Sequence, residues 1–182
     1  MIFPETTVTL KDGRSCLLRS PTGADAQSML DYMHTVLDET PYLLRSGSEF
    51  CMPAEKEAAF LDTKLTKARE VMITAFDKDR IIATCDISPC GSAARVQHRA
   101  SLGITVLHEY WNAGLGSTLM QSLIDCARAY GYEQLELTVV ASNRRAVSLY
   151  LKHGFSVYGT RPRGLCYPDS TYADEYLMIK SL

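Results

Sequence analysis

Two glycines stand in the stretch YWNAGLGSTLM, Tyr110 to Met120, where a strand-like segment gives way to a helical one. Inside a helix glycine is less favourable than alanine by roughly 1 kcal/mol, so Gly114 and Gly116 suit a point where a ligand approaches the backbone itself. Unpaired N–H groups at a helix start, aided by the helix dipole, bind anions, and glycines there leave room for a pyrophosphate. The stretch has no Lys-Ser/Thr ending of a P-loop and lacks the three-glycine dinucleotide fingerprint, which disfavours ATP and NAD. Close helix–strand packing is the competing reason for the pair.

A second cluster, ASNRRAVSLYLKHGF, sets Asn143 and Tyr150 seven residues apart. That is about two helical turns, so both lie on one face roughly 10 Å apart and suit one extended ligand. Each also has a bland role: Asn143 as a helix N-cap, Tyr150 as a core aromatic.

The elements that must position these residues follow from periodicity. TTVTLKDGRSCLLRS alternates on either side of Asp12-Gly13 and predicts a hairpin. A helical pattern runs from Thr22 to about Leu44, broken around Pro41, and a second helix starts at Pro53. EVMITAF, RIIATCDISP and VQHRASLGITVL then predict a three-strand meander. Helix GLGSTLMQSLIDCARAYGY puts Leu115, Leu119, Leu123 and Ala127 on one face and stops at Gly131. Strand EQLELTVV, helix NRRAVSLYLKHG and strands FSVYGTRP and TYADEYLMIKSL complete one mixed α/β domain over residues 1–182, without repeat or linker.

Composition narrows the partner. The chain has 182 residues, 46% hydrophobic and 22% charged, enough for one soluble domain with a sizeable core. A formal charge of -2 gives no electrostatic reason to expect nucleic acid or an anionic membrane, so a small ligand is expected. Six singly scattered cysteines lack the spacing of a zinc site or redox dithiol, so no metal is expected and the thiols read as reduced and cytoplasmic. MIFPETTVTL shows no basic region followed by an apolar run, and no apolar stretch nears ~20 residues, so neither export nor a membrane span is expected.

Together, the glycine loop, Asn143 and Tyr150 resemble the GNAT superfamily of acetyl-CoA-dependent N-acetyltransferases over nearly the whole chain. The resemblance implies a mostly antiparallel central sheet flanked by helices, with splayed central strands. The family signature of Arg or Gln, two residues, Gly, any residue, then Gly or Ala reads here as WNAGLG, with Trp111 in the Arg/Gln place. By the resemblance, the N–H groups of Asn112, Ala113, Gly114, Leu115, Gly116 and Ser117 hold the pyrophosphate. Main chain at Ile104, Thr105 and Val106 holds the acetyl-pantetheine arm, and Asn143 and Tyr150 belong to the cofactor site. Gly103 fits a bulge or close backbone approach in the splayed strand.

The implied reaction is direct attack of an amine on the thioester in a ternary complex. The Val106 N–H would stabilise the oxyanion, and Tyr150 resembles the general acid. Ribosomal-protein N-terminal acetyltransferases carry a glutamate five residues before the matching asparagine, where this chain has Thr138. Glu136, on the same strand face about 6.6 Å away, is the candidate base acting through water. Asp86, His108, Glu109 or water alone are the alternatives.

For the acceptor, Glu39, Tyr42 and Glu49 stand in one loop, with Arg161, Arg163, Tyr167, Asp169 and Asp174 near the last hairpin. Carboxylates with aromatics suit a cationic amine, and arginines suit a carboxylate. A small-molecule primary amine is the expected partner. A protein N-terminus and a non-catalytic acyl-CoA-binding domain stay open, as does a homodimer through the C-terminal strands.

Overall fold

The Asp12-Gly13 turn places Gly13 at φ +88°, and β1 (Thr6–Thr9) folds back antiparallel on β2 (Ser15–Arg19). The computed structural model, which describes residues 2–182, extends this hairpin into an eight-stranded sheet with four α-helices. Helix α1 (Ala26–Asp38) ends earlier than its apolar pattern suggests. Pro41 lacks an N–H and disfavours helical backbone at Thr40, so residues 39–53 form turns instead. Pro53 caps α2 (Ala54–Thr66).

The meander is β3 (Val71–Asp77), β4 (Arg80–Pro89) and β5 (Arg99–Val106). Its last strand starts at Arg99 rather than Val96, because residues 94–96 turn as a short 3-10 segment. Helix α3 (Leu115–Ala129), β6 (Gln134–Val140), α4 (Arg144–Lys152), β7 (Ser156–Cys166) and β8 (Tyr172–Ser181) follow. The strand order is β1-β2-β3-β4-β5-β6-β8-β7, and only β5 and β6 run parallel.

Apolar runs in β3 and β4 bury Val71, Ile73, Ala75, Ile82, Ala83 and Ile87 completely, as expected for central strands covered on both faces. The predicted α3 stripe of Leu115, Leu119, Leu123 and Ala127 is likewise fully buried. Helices α1 and α2 pack together, on β4 and β3 respectively, and α3 lies over β4 and β5.

Pairing in the middle of the sheet is incomplete. β5 holds β4 from Ala100 to Val106, and β6 holds β8 from Gln134 to Val140. Between them only Arg99, Ala100 and Ser101 pair, with Gln134, Leu135 and Glu136. Beyond that point the strands part, leaving facing edges over residues 102–106 and 137–140.

Candidate functional site

A cavity of about 770 Å³ fills this gap. Ile104, Thr105 and Val106 line one wall, Thr138, Val139 and Val140 the other, and Asn112, Gly114, Gly116, Ser117, Asn143 and Tyr150 close its end. The fold therefore gathers nearly all the sequence-derived cofactor positions around one space. Ala113 and Leu115 are the exceptions: their side chains are buried, at 5% and 0% exposure, leaving only main chain to offer.

Backbone direction along β5 decides which groups face the gap. Leu107 donates its N–H to Ile82 of β4, while the Val106 carbonyl turns the other way and accepts the Trp111 indole N–H at 2.8 Å. Because N–H and C=O directions alternate residue by residue in an antiparallel pair, the N–H groups of Val106 and Ile104 point into the gap and that of Thr105 toward β4. The Thr105 hydroxyl instead accepts from Tyr32 at 2.8 Å, tying the strand to α1.

The loop before α3 holds its amides open. Asn112 at φ +62° and Gly114 at φ +90° are both left-handed, which turns successive N–H groups toward one concavity. Among the described residues, the amides of Asn112, Ala113, Gly114, Leu115 and Gly116 have no protein acceptor. A Cβ at Gly114 would sit 3.3 Å from the Lys11 side chain, and one at Gly116 3.4 Å from Leu149. The glycines thus serve both the open amides and close packing. Trp111 pins this loop to β5, stacks beneath the Arg145 guanidinium at 4.0 Å and meets His108 edge-on at 4.4 Å.

Asn143 caps α4, its side-chain oxygen accepting the Ala146 N–H at 3.2 Å, while also facing the cavity. Tyr150 is 6% exposed, and its hydroxyl has no protein partner among the described residues. Since no buried side-chain polar atom there is left unsatisfied, that hydroxyl opens onto the cavity. Burial pushes its pKa up to about 12.

Glu136 is a correction. It does not line the cavity: Arg99 grips its carboxylate with two guanidinium N–H groups, and Gln134 donates to it at 2.6 Å. The Arg99 hydrogen bonds hold its pKa below the ordinary carboxylate value, the wrong direction for a base. The pair clasps β5 to β6 where they begin to part. His108 and Glu109 do not line the cavity either: the His108 ring packs edge-on against Trp111, and Glu109 pairs with Arg80 at 2.5 Å. Asp86 does not line the cavity itself but pairs with Gly103, which does.

Of the acceptor candidates only Tyr42 lines the cavity. Glu49 folds back on Ser46, Arg161 pairs with Glu175, Arg163 stacks on Tyr172 with its N–H on Asp174, and Asp169 binds Thr171. Burial, and after it the charge of Tyr42, push the Tyr167 phenol up.

Sequence reasoning missed four cations at the cavity, Lys11, Arg144, Arg145 and Lys152, none with a carboxylate partner among the described residues. A signal existed. Arg144 and Arg145 occupy the first turn of α4, where positive charge opposes the helix dipole, a placement that calls for an anion.

Comparison with known proteins identifies the family and the fold. Residues 32–155 match the Acetyltransferase (GNAT) family. The chain is 33% identical over 87 residues to the L-amino acid N-acetyltransferase AaaT of Escherichia coli, covering 47% of this chain and 53% of that protein. It thus spans about half that relative's length. An acetyltransferase of the GNAT family from Streptococcus pneumoniae superposes with a TM-score of 0.87 at 32% identity, over 92% of this chain and 99% of the other. A phosphinothricin acetyltransferase from Sinorhizobium meliloti, solved with acetyl-CoA, has the same fold at 17% identity, with a TM-score of 0.76 over 92% and 88% of the two chains.

Proposed function

Because the chain belongs to the GNAT acetyltransferase family, we propose that it transfers the acetyl group of acetyl-CoA to the primary amine of a small molecule, of the L-amino acid class. The observation that carries this reading is the continuity of one cavity from the open amides of residues 112–116, along the unpaired edge of β5, to the Tyr150 hydroxyl. The amide concavity and the surrounding cations suit a pyrophosphate. The free β5 edge suits the amide-bearing pantetheine arm, as an added strand suits a sheet edge. Similarity to AaaT supports the acceptor class.

The residues divide the chemistry. An N–H of Ile104 or Val106 polarises the thioester carbonyl as negative charge develops on its oxygen. The amine attacks, the C–N bond forms, and the C–S electron pair leaves on sulfur. A phenol with a pKa of about 12 is a poor full proton donor to a thiolate of ordinary acidity near 8.5, the transfer being uphill by roughly 5 kcal/mol. Tyr150 therefore stabilises the leaving sulfur as a hydrogen-bond donor, and solvent supplies the proton.

The test is mass spectrometry of reactions containing acetyl-CoA and a panel of L-amino acids, polyamines and short peptides. Acetylated amino acids support the reading. Acetylation of peptide N-termini alone moves the acceptor class, and acetyl-CoA binding without any product leaves a binding domain.

A further inference from the structure

With Glu136 withdrawn from the cavity, the acceptor amine needs another polar partner. Asp86 stands on β4 in the middle of the sheet, where a carboxylate has little solvent, yet its side chain is 33% exposed. The reason lies directly opposite on β5: its pairing partner is Gly103, and a Cβ there would come within 3.3 Å of Asp86 Oδ1. Gly103 lines the cavity, so the missing side chain opens a path between the cavity and that oxygen.

The two carboxylate oxygens are treated differently. Oδ2 accepts from the Ser88 hydroxyl at 3.3 Å and lies 3.5 Å from Lys64 Nζ. Lys64 is in turn fixed by Glu70 at 2.9 Å and the Ser88 hydroxyl at 3.0 Å. Oδ1 has no hydrogen-bond donor among the described residues and is the oxygen facing Gly103. One oxygen is anchored and the other is left for a donor from the cavity.

We propose that Asp86 is the group that receives the acceptor amine, its Oδ1 accepting a hydrogen bond from the ammonium through the opening at Gly103 and taking one proton to free the nitrogen lone pair before the C–N bond forms. The assignment rests on the acetyl-transfer reading above. It favours the Ile104 N–H, adjacent to Gly103, over that of Val106 as the oxyanion donor. The balance is complete: the ammonium gives one proton to Asp86, which passes it to solvent, the neutral amine forms the C–N bond, the adduct nitrogen gives its second proton to solvent, and the C–S bond breaks with its electron pair on sulfur, which gains a proton from solvent. Burial raises the Asp86 pKa against the opposing pull of Lys64, which makes its carboxylate more basic than an ordinary aspartate. The charged groups facing it are Lys64 of α2 and Glu70 ahead of β3, and Tyr32 of α1 lies across Thr105.

The experiment combines NMR with kinetics. In protein carrying carboxyl-labelled aspartate, n-propylamine should shift the Asp86 signal saturably, while tetramethylammonium, which has no N–H, should not. Asp86→Asn should lower kcat/KM for the best acceptor of the amine panel by about 10²-fold or more, abolish the acid limb of the pH–rate profile, and leave the acetyl-CoA Kd within about two-fold. Gly103→Ala, which covers Oδ1, should reproduce the loss for the amine. An Asp86 signal unmoved by n-propylamine overturns the assignment, as does an Asn variant that keeps the wild-type rate and acid limb. If the panel yields no product while n-propylamine still shifts Asp86, the acceptor class fails and the Asp86 contact stands.

Discussion

Tyr150 and Glu136 show how differently two residues singled out for chemistry are held. Tyr150 sits among apolar neighbours, edge-on to Phe155 at 6.0 Å between ring centres, with its hydroxyl free. Tyr150→Phe keeps the ring and removes only the donor. It should lower the single-turnover acetyl-transfer rate by about 10²-fold, the usual loss for one donor to developing negative charge, with the acetyl-CoA Kd little changed. A wild-type single-turnover rate in the Phe variant would leave water as the only donor to sulfur. Glu136 is bound on both oxygens by Arg99, so Glu136→Gln should leave turnover intact and reduce stability at pH 7 by no more than about 1 kcal/mol, the pair being partly exposed. Its folded pKa is lowered, so its stabilisation is present above the unfolded value near ~4.3 and is lost as pH falls through the folded value. Melting curves should therefore show the wild-type advantage at neutral pH shrinking in acid.

At the scale of elements, the loop before α3 works because its backbone is left-handed twice, at Asn112 and Gly114. Gly114→Val places a β-branched residue at φ +90° against Lys11, which disfavours the open-amide conformation by at least about 1–2 kcal/mol. Calorimetry should show acetyl-CoA binding weakened at least ten-fold in a protein that still folds, and unchanged affinity would remove the loop from the cofactor site. Trp111 replaces the Arg or Gln of the family signature with a different device, an indole N–H on the Val106 carbonyl. Trp111→Phe keeps an aromatic surface for Arg145 and loses that bond. Stability should fall by about 1 kcal/mol, and the KM for acetyl-CoA should rise several-fold as β5 and the loop lose their tie.

Across the whole molecule, a formal charge of -2 conceals an uneven distribution. Lys11 from the first hairpin, Arg144 and Arg145 from the start of α4 and Lys152 from its end converge on one cavity. This attraction acts partly through solvent, so it is screened by salt. The acetyl-CoA Kd should rise roughly ten-fold between low salt and about 1 M, where the Debye length is ~3 Å. Replacing Arg144 and Lys152 together with glutamine should flatten that dependence. A Kd independent of ionic strength in the wild type would exclude the cationic mouth as a source of affinity.

What the sequence determined by itself was local. Alternation and helical stripes placed all eight strands and four helices, because side-chain periodicity is fixed by the backbone repeat of each element. Gly13, Gly114, Gly131 and Gly154 all adopt positive φ where a turn, helix start or helix stop was read, because glycine tolerates it best. The break that the sequence showed around Pro41 is where α1 has already ended, at Asp38. Tertiary structure alone decided what each carboxylate lies against. Glu136 looked available until Arg99, 37 residues earlier, lay beside it, and only the fold set Gly103 opposite Asp86. Both outcomes depend on strand register, which pairs residues distant in the chain and gives a carboxylate either a cation or an opening.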